Sequence, residues 1–250
     1  MRNLTKTFIA AASLIGSATA ALAQDAAPDF TLSAVVTGQS DYRYRGISQD
    51  SKEFTPQGTL TLTGPEGFYI GAWSSKTNWG GNNPSYEVDI YGGKHTDLWG
   101  TDLNLEAYYY SYPDAKGIPS TISASYYETI GQLTHVFGPL TVTLTGANSP
   151  AWSLGGGVGW YVEGTAAFVL TDWLTVSGNV GHQWVGHAPS AYTHYDVGAT
   201  ATWHSFSLDA RYVSTDIGKV NCVGFWMATP NACSGGGVVT LNYNISDLLK

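Results

Sequence analysis

Asp41, Arg43 and Arg45 sit two residues apart. So do Glu87 and Asp89, and Asp209 and Arg211. Side chains on a β-strand alternate between its faces, so each set shares one face. Glu106, Glu128, Glu163 and Asp196 fall on the polar side of their own alternating runs. Together these are eight acids and three bases. They imply no covalent chemistry; what they can do is set an electric field. An acidic excess lining a narrow passage favours cations, as rings of Asp and Glu do in cation channels. The arginines have a structural role open to them as well, pairing with nearby carboxylates and bracing the wall. The two roles are compatible, because a braced lumen with leftover acid is still selective.

Placing these residues takes about twelve alternating runs, over 30–46, 53–63, 67–78, 85–95, 101–112, 121–137, 139–147, 156–170, 173–186, 192–203, 205–214 and 237–247. In the run over 192–203, Tyr195, Val197, Ala199, Ala201 and Trp203 oppose Asp196, Gly198, Thr200 and Thr202. In the run over 205–214, Phe206, Leu208, Ala210 and Tyr212 oppose Asp209 and Arg211. Within 30–46, Tyr42 and Tyr44 oppose Asp41, Arg43 and Arg45, which suits a wall with lipid outside and a polar lumen inside. An Arg or Lys turned to lipid at the bilayer midplane would cost about 2–4 kcal/mol, so the arginines belong inside.

Connections alternate between short (64–66, around 99–100, 138, 171–172, 204) and long (47–52, 79–84, 113–120, 148–155, 187–191, 215–236), as in outer-membrane barrels. Phe68, Phe137, Phe168, Trp173, Trp203 and Phe206 gather near the short turns. Tyr44, Trp79, Tyr86, Trp184, Tyr195 and Tyr212 gather near the long loops. Two such aromatic girdles mark the membrane interfaces. The expected fold is all-β, an antiparallel transmembrane β-barrel of about twelve strands over residues 24–250. Outward Trp and Tyr suit lipid and subunit contacts alike.

Composition agrees. Arg2 and Lys6 precede a small, apolar stretch that ends in Ala21-Leu22-Ala23, a signal-peptide pattern over residues 1–23. With Arg2 and Lys6 removed, nine basic residues face nineteen acidic ones, a net charge of −10. That argues against nucleic acid, whose phosphates need basic patches. No segment has the ~18 continuous apolar residues of a membrane helix, and alternating strands need none. Charged residues make up 12% of the chain, against about 25% in soluble domains. Cys222 and Cys233 are expected to form one disulfide in an oxidising compartment, stapling the 215–236 loop.

Ser40-Asp41-Tyr42-Arg43-Tyr44-Arg45-Gly46-Ile47-Ser48-Gln49, residues 67–75 (GFYIGAWSS) and residues 86–93 (YEVDIYGG) resemble the TorF family of porins. The likeness is most specific in the N-terminal third. It implies a pore in the outer membrane of a Gram-negative bacterium, without naming a solute. The chain departs from barrel habit by ending Asp247-Leu248-Leu249-Lys250 instead of on an aromatic residue that assembly machinery reads. The last strand then ends near Tyr243 or Ile245, or assembly tolerates this ending.

Other motifs are weaker. His182 and His187, or His194 and His204, lack a metal-ligand spacing with Cys or carboxylate. Gly155-Gly156-Gly157-Val158-Gly159 looks like a phosphate loop, but no Lys-Ser/Thr follows it. A hydrolase would need a nucleophile motif, and no G-x-S-x-G is present. The expectation is a non-enzymatic channel for small hydrophilic solutes, with no cofactor or metal and with a preference for cations. Its partners would be outer-membrane lipids, those solutes and the barrel-assembly machinery. A non-conducting structural or binding barrel, a membrane-embedded lipid-modifying enzyme and a soluble exported sandwich are the rivals.

Overall fold

The computed structural model describes residues 30–80, 84–227, 229–246 and 248; the expected signal peptide lies outside them. Twelve antiparallel strands close into a barrel, each hydrogen-bonded to its sequence neighbours and the last to the first. They are β1 (Thr31–Gln39), β4 (Thr55–Thr63), β5 (Phe68–Lys76), β6 (Tyr86–Leu98), β7 (Thr101–Ser111), β8 (Tyr126–Phe137), β9 (Leu140–Trp152), β10 (Gly157–Thr171), β11 (Leu174–Val185), β12 (Tyr192–Trp203), β13 (Phe206–Thr215) and β14 (Gly236–Ile245). Two short strands, β2 (Arg43–Tyr44) and β3 (Ile47–Ser48), pair with each other and stand apart from the wall. Closure leaves no strand edge exposed, which a lipid environment demands.

The alternation sorts the wall into two faces. Val36, Leu60, Ile70, Ile90, Leu105, Leu144, Val162, Val180, Val197, Leu208 and Leu241 point outward and are exposed. Tyr86, Trp184, Tyr195 and Tyr212 flank this belt at the long-loop end; Phe68, Phe137, Phe168, Trp173, Trp203 and Phe206 flank it at the other. Lys94 points outward near a short turn, with its ammonium 4.4 Å from the Phe68 ring centre and 4.0 Å from Glu66. A long cation at that depth reaches the interface along its own stem. His182 is outward too, bonded to Thr193 at 2.8 Å beside the Trp184 ring, at girdle level.

Three expectations change. The run over 30–46 is a wall strand only to Gln39. The run over 121–137 begins at Tyr126. The 148–155 connection shrinks to residues 153–156, because β9 continues to Trp152 and pairs it with Gly157 across a register shift. Gly155-Gly156-Gly157 forms this turn, with φ of 74° at Gly155 and 79° at Gly157. Such angles are easy only for glycine, so the glycines make a turn and not a phosphate cradle.

Candidate functional site

After Gln39 the chain leaves the wall and folds inward. Arg43 pairs with Ser48 and Tyr44 with Ile47, around a two-residue turn. Arg45 has φ of 48° and Gly46 of 84°, the two positive angles of a type I′ hairpin turn. A Cβ on Gly46 would lie 2.6 Å from Thr215 Cγ2 and 2.7 Å from His194 Cβ, so the tip is pressed against β12 and β13.

The hairpin's partners show where it lies. The Tyr42 hydroxyl donates to Glu87 on β6 at 3.0 Å, and its ring meets Trp73 on β5 edge-on at 5.3 Å. The Tyr44 hydroxyl donates to Glu128 on β8 at 3.0 Å. Arg45 donates to both Glu128 carboxylate oxygens, at 3.0 and 2.7 Å, and to Gln183 Oε1 on β11 at 2.5 Å. The Tyr192 hydroxyl on β12 donates to the Arg45 carbonyl at 3.2 Å. Only a segment inside the barrel can touch inward side chains of β5, β6, β8, β11 and β12 at once. Tyr42 and Tyr44 are therefore lumenal, which corrects their expected outward face. The strand alternation that would have turned them to lipid stops at Gln39. Trp79 is also not an interface residue; it is half-buried and packs on Tyr112 at 4.5 Å.

The base of the hairpin is knotted by Asp50. Its carboxylate accepts from the Tyr42 amide at 2.8 Å, from the Ser48 hydroxyl at 3.1 Å, from the Lys52 amide at 3.0 Å and from the Thr55 hydroxyl. Above it lies the long loop after β13, with a helical turn α1 (Lys219–Asn221) followed by a π-helical turn over Cys222–Trp226. The expected disulfide joins Cys222 to Cys233, and both are buried against Ile47, Tyr192, Met227 and Ala232. The Ser48 amide donates to the Ala232 carbonyl at 2.9 Å. Arg43 Nη1 and Lys52 Nζ reach the Ser234 carbonyl at 2.9 and 3.3 Å. The stapled loop thus clamps the hairpin from the long-loop side.

The structure separates the eleven sequence-picked residues into groups. Asp41 and Arg43 form a buried pair at 2.7 Å within the inserted segment, not across the wall. Arg45 pairs with Glu128, and Arg211 with Asp196 at 2.8 Å and Asp209 at 2.6 Å. Glu87 accepts from Tyr42 and from the Tyr112 hydroxyl at 2.7 Å; Asp89 accepts from the Ser111 amide at 3.3 Å. Glu106 accepts from Tyr69 at 2.7 Å. Glu163 accepts from Tyr161 at 2.6 Å and lies 3.7 Å from His194. Among the described residues Glu87, Asp89 and Glu106 have no ion-pair partner.

What the sequence reading missed is a tyrosine lining. Tyr91, Tyr108, Tyr110 and Tyr126 face inward in continuous ring contact, and Trp152 extends the series 4.9 Å beyond Tyr126. The hydroxyls of Tyr42 and Tyr112 hold Glu87, that of Tyr69 holds Glu106 and that of Tyr161 holds Glu163, whereas Tyr110 bonds the paired Glu128 and Tyr91 bonds Thr61. The signal was present, because Tyr91 shares parity with Asp89, Tyr108 and Tyr110 with Glu106, and Tyr126 with Glu128.

A closed barrel with a charged, aromatic bore admits comparison with known proteins. Residues 23–230 match a family described as bacterial protein of unknown function, Gcw_chp. The chain belongs to the Gcw_chp family. No curated protein matches it in sequence. This Gcw_chp chain is similar in structure to the KdgM porin in complex with disordered oligogalacturonate, at TM-score 0.55 and 8% identity over 85% of this chain and 98% of that one. The NanC porin gives 0.52 and 10% identity over 86% and 100%. The COG4313 outer membrane channel from Pseudomonas putida F1 gives 0.50 and 11% over 88% and 97%. At these identities the likeness establishes a porin-like barrel fold for the Gcw_chp chain.

Proposed function

We propose that this barrel is a Gram-negative outer-membrane channel that passes small hydrophilic solutes by diffusion and prefers cations. The observation that carries the reading is the closed twelve-stranded wall, apolar outside and polar inside. The shared fold with channel proteins supports it, and so does the resemblance of 40–49, 67–75 and 86–93 to TorF porins. An export signal over 1–23, insertion by barrel-assembly machinery and a lumen lined by the eleven ionisable residues belong to the same reading, which includes no catalytic step. Twelve strands lie between the side-chain-filled eight-stranded barrel and the open sixteen-stranded channel, so the passage is narrow. Cation preference is supported by Glu87, Asp89 and Glu106, acids that have no ion-pair partner among the described residues. KdgM has been seen with oligogalacturonate, a polyanion; the acid excess here disfavours that kind of cargo.

Planar-bilayer recording tests this. The refolded protein is expected to give discrete conductance steps, with a reversal potential on the cation side in asymmetric KCl. Correctly folded protein that stays silent refutes open diffusion. A second reading, a sealed barrel, is favoured by the depth of burial beneath the hairpin, where Glu87 and Glu128 are 1% exposed and Gln183 0%. Replacing 41–50 by a Gly-Ser linker separates the two. A silent wild type with a conducting variant means that the hairpin is the plug, and silence in both means that the wall's own side chains seal the barrel.

A further inference from the structure

Arg45 occupies a receptor that the wall provides without the hairpin's help. Glu128 on β8 grips both terminal nitrogens, and Gln183 on β11 accepts from one of them. The Tyr161 ring on β10 lies 3.8 Å from the guanidinium carbon, and the Trp152 ring at the end of β9 lies 5.6 Å away. Tyr110 on β7 holds Glu128 in place with a hydroxyl bond at 3.1 Å. All five side chains belong to barrel strands. Tyr44 adds a third ring at 4.7 Å, but it is part of the hairpin and leaves with it.

This donor set is specific. A planar, weakly hydrated guanidinium forks onto a carboxylate and stacks on aromatic rings, whereas an ammonium is a compact, strongly hydrated point charge. Charge-assisted bidentate bonds and desolvated cation–π contacts are each among the stronger polar interactions of proteins. Arg45 is also a tethered ligand. It sits on an eleven-residue excursion, 40–50, whose other ties to the barrel are hydrogen bonds and packing.

We propose that Glu128, Gln183, Tyr161 and Trp152 form a binding site for small guanidinium-bearing solutes of the arginine class, which compete with Arg45 and unseat the hairpin. Permeation of such a solute rests on the channel reading; its binding does not, so binding is measured in detergent without any current. A tethered group acts at an effective concentration in roughly the millimolar range for a short linker, so a free competitor must exceed it.

The experiment uses the folded barrel with methylguanidinium and L-arginine as probes, against methylammonium and L-lysine at equal ionic strength. The readouts are tryptophan fluorescence, thermal melting and trypsin access at Arg43 and Lys52. Arg45→Ala is expected to bind methylguanidinium at least ~10-fold more tightly than methylammonium, and Arg45→Ala with Glu128→Gln to lose that difference. L-Arginine is expected to expose Arg43 in the wild-type barrel at a concentration ~10-fold above that which saturates Arg45→Ala. Arg45→Lys keeps a charge but no fork, so arginine should unseat its hairpin at a lower concentration than in wild type. This variant carries the test if Arg45→Ala does not fold. The proposal is overturned if Arg45→Ala does not discriminate between the two probes. It is equally overturned if arginine and lysine expose the wild-type or Arg45→Lys hairpin alike, or not at all. Silent bilayers beside intact guanidinium binding would sink the channel reading alone.

Discussion

Replacing Glu128 with Ala should turn the hairpin out of the barrel. The Arg45–Glu128 side chains are 8% and 1% exposed, so neither charge has water to fall back on. Removing one partner of such a buried pair costs about 3–5 kcal/mol, because the remaining charge is left uncompensated. Here that charge would be a guanidinium with Gln183 as its remaining side-chain acceptor. The Tyr44 and Tyr110 hydroxyls would lose the same acceptor, although they sit 3.4 Å apart and can bond each other. The barrel need not unfold to relieve the penalty, since the hairpin can leave. At about 1.4 kcal/mol per factor of ten, the docked-to-released ratio should fall by roughly 10² to 4 × 10³. Trypsin reads this ratio directly when opening and closing are faster than cleavage. Arg43 and Arg45 are buried in the docked state, while exposed Lys116 and Lys219 in the loops give an internal reference. Cleavage after Arg43 and Arg45, identified by mass, should therefore accelerate at least ~100-fold relative to those loop sites. The double variant Arg45→Met, Glu128→Met should return close to the wild-type rate, because an apolar pair in place of a buried ion pair is often neutral. If Glu128→Ala is cleaved at the wild-type rate with unchanged melting, the ion pair does not hold the hairpin.

Four further outcomes follow from the wall and the loops. Val197 is 63% exposed near the middle of β12, so Val197→Arg should cost about 2–4 kcal/mol when folding into lipid vesicles is measured by denaturant titration. A Cβ at Gly93 would collide with the Leu105 carbonyl oxygen and the Tyr69 hydroxyl, whereas Gly58 has nothing within 4 Å; Gly93→Ala should lose about 1–3 kcal/mol by thermal unfolding and Gly58→Ala almost nothing. Cys222→Ser with Cys233→Ser removes a cross-link spanning 11 positions, worth about 3 kcal/mol by loop closure; the loss should appear as faster trypsin cleavage at Lys52, with barrel melting little changed. The Ser85 hydroxyl and amide hold the Asp114 carboxyl below the usual carboxylate range. A depressed acid stabilises its contact above the unfolded pKa and loses that as pH falls through the folded one, so protection of the Ser85 amide, taken relative to its intrinsic exchange rate, should hold at neutral pH and fall only below about pH 4.

The twelve runs were legible because a lipid-facing wall enforces its pattern on every strand. A residue out of register, such as an arginine at position 197, would meet hydrocarbon. Face assignments in β12 and β13 followed from that pattern. The hairpin was not legible for the complementary reason. Asp-Tyr-Arg-Tyr-Arg alternates like a wall strand, but alternation shows only that a segment has two faces. It does not say that either faces lipid, and inside the lumen both can bury polar groups. The one local cue was Gly46 directly after Arg45, a weak form of the two-residue turn signal usually carried by Asn-Gly. The tyrosine lining was obscured by the habit of reading Tyr as an interface residue, although parity with Asp89, Glu106 and Glu128 put it inside. Ion pairs such as Arg45–Glu128 join positions 83 apart in sequence, and no local pattern announces which acid an arginine will find.

The hairpin's root lies beside the junction of the first and last strands. The Ser40 amide donates to the Val239 carbonyl at 2.9 Å, and the Val239 amide to the Ser40 hydroxyl at 2.9 Å, where β1 meets β14. Residues 41–46 emerge early in synthesis, yet their partners lie on β6, β8, β11 and β12, and their clamp lies just ahead of β14. Arg43 finds Asp41 within the segment itself, but Arg45 waits for Glu128, and the clamp on the hairpin waits for nearly the whole chain. The strand that zips the cylinder shut is also the one that fixes the hairpin's base. A chain stalled before residue 236 would have an open seam and an unanchored cationic arm together. Trypsin access at Arg43 thus doubles as a mark of biogenesis, recording whether the cylinder was completed.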